Sequence, residues 1–184
     1  MIKGIEEAIE KRLSKLVNND SLETTPFRER LSAKRLLWIF GVMDDGHEIQ
    51  LLRGILDAEE FKGEQQLFVK LLGDPSFYNG DYHRRPQYYV FEINDIDDYY
   101  QNGLIQGSAR VVFSQSEDWL LLVSFEMYGL LGATDTLMEK IEASIPSLAD
   151  YYNRQDFIDY WESCAQENGA DISWTKELLA HINT

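Results

Sequence analysis

At 184 residues, 44% apolar and 12% aromatic, the chain is long and hydrophobic enough to bury one core without disulfide or metal staples, and too apolar for a disordered segment. A lone cysteine, Cys164, excludes an internal disulfide and points to a reducing compartment, while no stretch approaches the roughly 18 apolar residues of a membrane span. The charge of −15 is unevenly placed: residues 1–35 hold eight Lys/Arg against six Asp/Glu, a net of +2, and the other 149 hold nine against twenty-six, a net of −17.

Such a body disfavours direct binding to nucleic-acid phosphates or to an anionic membrane, since both need cationic neutralisation. The opening MIKGIEEAIEKRL has no uninterrupted apolar segment of the kind a secretory signal requires, so a cytoplasmic protein is expected.

Along the chain, Ile2, Ile5, Ile9, Leu13 and Leu16 recur at three- and four-residue steps and predict an amphipathic helix over 2–17. Thr25-Pro26 reads as a second helix start, with Phe27 and Leu31 turned inward. Two apolar runs, Leu36 to Met43 and Glu48 to Leu56, flank the turn signal Asp44-Asp45-Gly46 and predict a hairpin; the competing reading extends the second helix through Trp38 and Phe40. Asp57-Ala58-Glu59-Glu60 resembles a capping box, and Phe61, Phe68, Leu71 and Leu72 then give a helical stripe ending at Gly73. Asp74 to Pro86, DPSFYNGDYHRRP, has the turn chemistry of a surface loop. Gln87 to Ile93 predicts a strand, Asp95 can cap a short helix through Tyr100, and Asn102-Gly103 closes it.

The clearest two-residue period lies in Gly107 to Tyr128, where Trp119, Leu121, Val123, Phe125 and Met127 form one apolar set. Placing Ala109, Val111 and Phe113 on that same face sets Phe113 opposite Leu121 and Val111 opposite Val123, with a three-residue loop at Ser116 to Asp118 and Leu121, Val123 and Phe125 buried. Gly129 to Gly132 then reads as a turn, Thr136 and Glu139 as a capping box for a helix to about Ser144, and 147–152, 156–168 and 173–182 as helical pieces. Grouped rather than alternating elements predict a single α+β domain over 1–184, an antiparallel sheet of about five strands centred on the 107–128 hairpin and packed with N- and C-terminal helices.

No motif names a reaction. His47, His83 and His181 are scattered, and there is no HExxH, CxxC, phosphate-binding glycine loop or GxSxG. Asp44, Asp45 and Glu48 offer oxygen ligands, but a hairpin turn explains them without a cation; neither a metal nor a cofactor is expected. The one constellation for a dispersed enzyme site is Asp81, His83, Arg84 and Arg85, with the histidine as base and the arginines as anion clamps. Ion pairing within a solvated loop accounts for the same residues.

From Gln87 to Glu139 a single base, Arg110, faces nine carboxylates. Helix capping accounts for acids at one terminus, and solubility alone accounts for an acidic surface. Acids beside tyrosines also make a protein-binding surface, with rigid contact area and long-range attraction for a basic partner. Asp95, Asp97, Asp98, Tyr99, Tyr100, Glu117 and Asp118 are the expected contacts. The expectation is therefore a non-catalytic module that neutralises a basic protein such as a toxin or a nucleic-acid-binding protein. By analogy of size and charge, immunity proteins, nuclease inhibitors and anti-defence inhibitors do this; the alternative is an enzyme built around Asp81 to Arg85.

Overall fold

The protein is described by a computed structural model over residues 2–18, 24–38, 47–59, 66–72, 87–101, 108–124 and 128–182. Its described strands are β1 (Ala33–Trp38), β2 (Gln66–Leu71), β3 (Tyr88–Glu92), β4 (Arg110–Ser114), β5 (Trp119–Val123) and β6 (Tyr128–Ala133). They form one antiparallel sheet in the order β1-β6-β5-β4-β2-β3, an α+β architecture with six strands where about five were expected. The N- and C-terminal helices of that expectation are present.

Helices cover both faces of the sheet. Against one lie α2 (His47–Ala58), α3 (Ile96–Gln101) and α4 (Asp135–Ser144), which pack Leu52, Ile55, Tyr99, Met138 and Ile141 onto Leu67, Val69, Val112, Trp119, Leu121, Val123 and Leu131. Against the other lie α1 (Ile2–Leu13), α5 (Arg154–Asn168) and α6 (Ser173–Ile182), which bring Ile9, Leu13, Phe157 and Leu178 onto Phe68, Val111, Phe113, Leu120, Leu122 and Leu130. Strands β4, β5 and β6 are buried along their whole length.

Double burial overturns the expected hairpin register. The pairs are Arg110 with Val123, Val111 with Leu122, Val112 with Leu121 and Phe113 with Leu120, one residue from the expected alignment, so the loop is the four residues Gln115 to Asp118. Register follows from hydrophobic pattern only where one face is wet; here either alignment buries apolar side chains on both faces. Leu121 and Val123 are buried as expected, while Phe125 lies outside the described residues. β5 also stops at Val123, the Ser124 N–H donates to the Tyr128 carbonyl at 2.9 Å, and the expected turn Gly129 to Gly132 is instead part of β6. Gly132 belongs in that strand because the Phe27 ring lies on it: a Cβ there would stand 2.7 Å from Phe27 Cδ1.

Three further elements differ from expectation. Residues 47–58 form a helix, since Ile49, Leu52, Ile55 and Leu56 also fit a helical stripe, and Gly54 within it leaves room for the Ile145 side chain. Residues 66–71 form a strand that alternates Leu67 and Val69 on one face with Phe68 on the other. Thr25-Pro26 starts no helix; Phe27 makes an antiparallel bridge with Val17, although Phe27 and Leu31 do turn inward. The turn at Asp44-Asp45-Gly46 and the loop Asp74 to Pro86 lie outside the described residues.

The helix expected to reach Ser144 is α4, but it begins at Asp135 with Thr134 at its cap and no side-chain cap bond, so Thr136 and Glu139 form no capping box. β3, the short α3 and α6 stand where expected. Helix α5 starts at Asn153, whose side chain accepts the Asp156 N–H, and ends at Gly169 in the left-handed conformation with φ 68°. No described helix is long and apolar enough to cross a membrane.

Candidate partner-binding surface

The short helix that carries the expected contacts begins where β3 leaves the sheet. A 3-10 turn, Ile93–Asp95, leads into α3, whose first turn holds Asp97 and Asp98 in solvent while Ile96 and Tyr99 point inward. Asp97 accepts from Arg53 Nη2 of α2 at 2.5 Å, and Asp95 and Asp98 have no ion-pair partner among the described residues.

Tyr99 leaves the expected surface. It is 2% exposed, and its hydroxyl donates to Glu48 Oε1 while accepting from Arg110 Nε at 2.9 Å. Arg110 Nη2 also donates to Glu48 Oε2, and Nη1 donates to the Ser108 carbonyl at 2.7 Å. A buried carboxylate, phenol and guanidinium thus close a polar network between α2, α3 and β4. Burial and then the Glu48 charge push the Tyr99 phenol well above its ordinary range, against the opposing pull of Arg110. Burial works against the Arg110 charge, and the Tyr99 and Glu48 oxygens more than offset it.

Glu117 and Asp118 lie at the end of the β4–β5 loop and are claimed from within. Glu117, at φ 62° and 6% exposed, accepts from Arg12 Nη1 at 2.9 Å and from Lys15 Nζ at 2.8 Å, both on the α1 side of the sheet. Asp118 pairs with Arg30 at 3.0 Å. The α3 aspartates stand on the opposite helical layer, so the structure does not gather the expected acids into one patch. The Tyr100 side chain and the alternative constellation Asp81, His83, Arg84 and Arg85 lie outside the described residues.

Two polar groupings escaped the sequence. Glu59, just past α2, accepts from Ser114 Oγ at 2.9 Å and from Trp119 Nε1 at 2.6 Å, and burial raises its pKa despite those donors, with Asp118 adding to the rise. Ser114 is 0% exposed, and the pair ties the end of α2 to the hairpin. The second is a basic corner beside β1. A cleft of about 500 Å³ is lined by Lys34, Arg35, Asp135, Tyr152 and Arg154, with the Arg35 guanidinium 5.6 Å above the Tyr152 ring and 2.7 Å from Glu142.

No group of three or more His, Cys, Asp or Glu among the described residues is placed to hold a metal ion. Set beside known families, characterised proteins and solved structures, the chain matches none of them.

Proposed function

We propose that this chain is a non-catalytic module of the reducing cytoplasm that binds and neutralises a basic protein, in the manner of immunity proteins and other protein inhibitors. The observation that carries this reading is where the bases are spent. Arg12 and Lys15 are held by Glu117, Arg30 by Asp118, Arg35 by Glu142, Lys70 by Glu10 and Arg110 by Glu48. These pairs tie six of the chain's 17 Lys and Arg to its own carboxylates, and with 32 Asp and Glu in the chain they leave a large excess of carboxylates without a base. Of the exposed Asp95, Asp97 and Asp98 at the start of α3, only Asp97 has a base beside it among the described residues, namely Arg53.

Exposed pairs of this kind contribute little to stability, so their absence at Asp95 and Asp98 costs the fold little. Their use is in encounter: a field of one sign speeds the approach of a partner of the other sign. The test is to capture the partner from the native cell, identify it, and measure binding kinetics to the unmodified chain and to Asp97→Lys/Asp98→Lys. The variant should associate about ten-fold more slowly at low salt with a dissociation rate little changed. Equal association rates would remove α3 from the interface.

A further inference from the structure

Helix α5 is far less enclosed than its composition calls for. Of its 15 residues only Phe157 is buried, yet Ile158, Tyr160, Trp161, Cys164 and Ala165 are all half-buried. At 100° per residue these six positions span an arc of about 160°, wider than the stripe a surface helix needs to seat itself on a sheet. The arc continues into neighbouring rings. Trp161 lies 5.0 Å from Trp174 of α6 at 77° and 5.3 Å from Tyr160 at 85°, and Tyr160 lies 5.2 Å from Trp38. Tyr160, Trp161 and Trp174 all keep part of their surface open, and the enclosed Trp161 indole N–H has no acceptor among the described residues.

Carboxylates border this aromatic patch on both sides. Glu162 follows Ile158 by one helical turn on one margin, and Asp156 and Glu167 bracket Tyr160 on the other. Asp156, Asp159, Glu162 and Glu167, with Glu177 of α6, are exposed and have no ion-pair partner among the described residues. What they do bond is neutral: Gln155 donates to Asp159 at 2.6 Å and Ser163 to Glu167 at 3.1 Å. Glu167 also sits in the last turn of α5, which has no base, although the helix dipole favours a cation there.

From this juxtaposition we infer that the α5–α6 face is a docking surface for a basic, partly apolar segment of a partner protein, whose arginine or lysine side chains lie across the rings and reach the flanking carboxylates. Aromatic faces attract guanidinium and ammonium groups, and arginine both stacks on rings and bonds carboxylates with one planar group. Charge complementarity selects this occupant. A second copy of the chain would bring the same carboxylates against themselves, and a nucleic acid would bring phosphates. The inference goes beyond the α3 reading and stands apart from it, because α3 and α5 pack on opposite faces of the sheet.

The test uses the full chain, a synthetic peptide alternating arginine with leucine, and a control in which glutamate replaces arginine. Tryptophan fluorescence reports binding at this face, because Trp38 and Trp119 are 6% and 0% exposed whereas Trp161 and Trp174 are half-buried. The arginine peptide should give a saturable change. Glu162→Lys/Glu167→Lys should weaken it by at least about ten-fold, while Asp97→Lys/Asp98→Lys, which alters net charge equally, should leave it within about two-fold. Circular dichroism verifies that both variants fold. Equal binding of the glutamate peptide, no response to the arginine peptide, or no loss in the α5 variant would overturn the proposal. Loss confined to the α3 variant would overturn it too, while leaving the α3 reading standing.

Discussion

Arg110 is the residue on which the interior depends most sharply, because it and Glu48 are charges in a place where neither tolerates being alone. Arg110→Met should cost about 3–5 kcal/mol in denaturant unfolding by leaving Glu48 buried and unpaired. Adding Glu48→Leu should recover part of that loss, since removing both charges also removes the desolvation each one suffers. A double variant as destabilised as the sum of the two single ones would contradict this coupling. Glu59 makes the opposite kind of statement. Its pKa is raised on folding, so the folded chain holds more protons than the unfolded one between the ordinary carboxyl pKa and the raised value. Stability from this group is therefore present at low pH and lost as pH climbs through that window. Glu59→Gln, which keeps an acceptor for Trp119, should be less sensitive to pH there than the unmodified chain; identical pH profiles would show that Glu59 ionises as it would in water. Of these residues, Arg110 was visible in the sequence only as the single base between Gln87 and Glu139, and its burial was not. Nor was Glu48 as its partner, because 62 positions separate them.

Strands and helices were legible where a local signal had one meaning. β3 and α6 follow from turn chemistry and periodicity, and Gly169 marks the expected end of α5, whereas its start, expected at 156, is set by the Asn153 cap. Where an apolar run fits two periods, tertiary packing decided. Leu71 and Leu72 extend a helical stripe from Phe61 and Phe68, yet Leu67, Phe68 and Val69 also alternate across a strand, and the neighbouring β4 selects the second option. The β4–β5 register was illegible for the reason that makes the hairpin stable, namely that both its faces are covered. β6 was missed because its glycines read as a turn, although Gly132 serves the close approach of Phe27. Gly132→Ala should accordingly destabilise by about 1–3 kcal/mol through overpacking, and Phe27→Leu should relieve part of that cost. Strict additivity of the two substitutions in a double-mutant cycle would mean that Phe27 is not the obstacle.

Across the whole molecule, composition announced the acidic excess but not its destination. Arg12 and Glu117 are separated by 105 positions and Arg30 and Asp118 by 88, so only the fold reveals that the hairpin acids are neutralised from within. Among the described residues, the acids that stay outward include Asp95 and Asp98 at α3 on one layer and those of α5–α6 on the other, and both surfaces present uncompensated carboxylates to a basic protein that approaches. Attraction of that sort reaches about one Debye length, near 8 Å at physiological salt, and it accelerates encounter more than it strengthens the docked complex. The association rate of the chain with its captured partner, measured across a range of salt concentrations, is the most direct test. The rate should fall steeply as salt rises while the dissociation rate changes little, and an association rate indifferent to salt would contradict binding driven by the acidic surface.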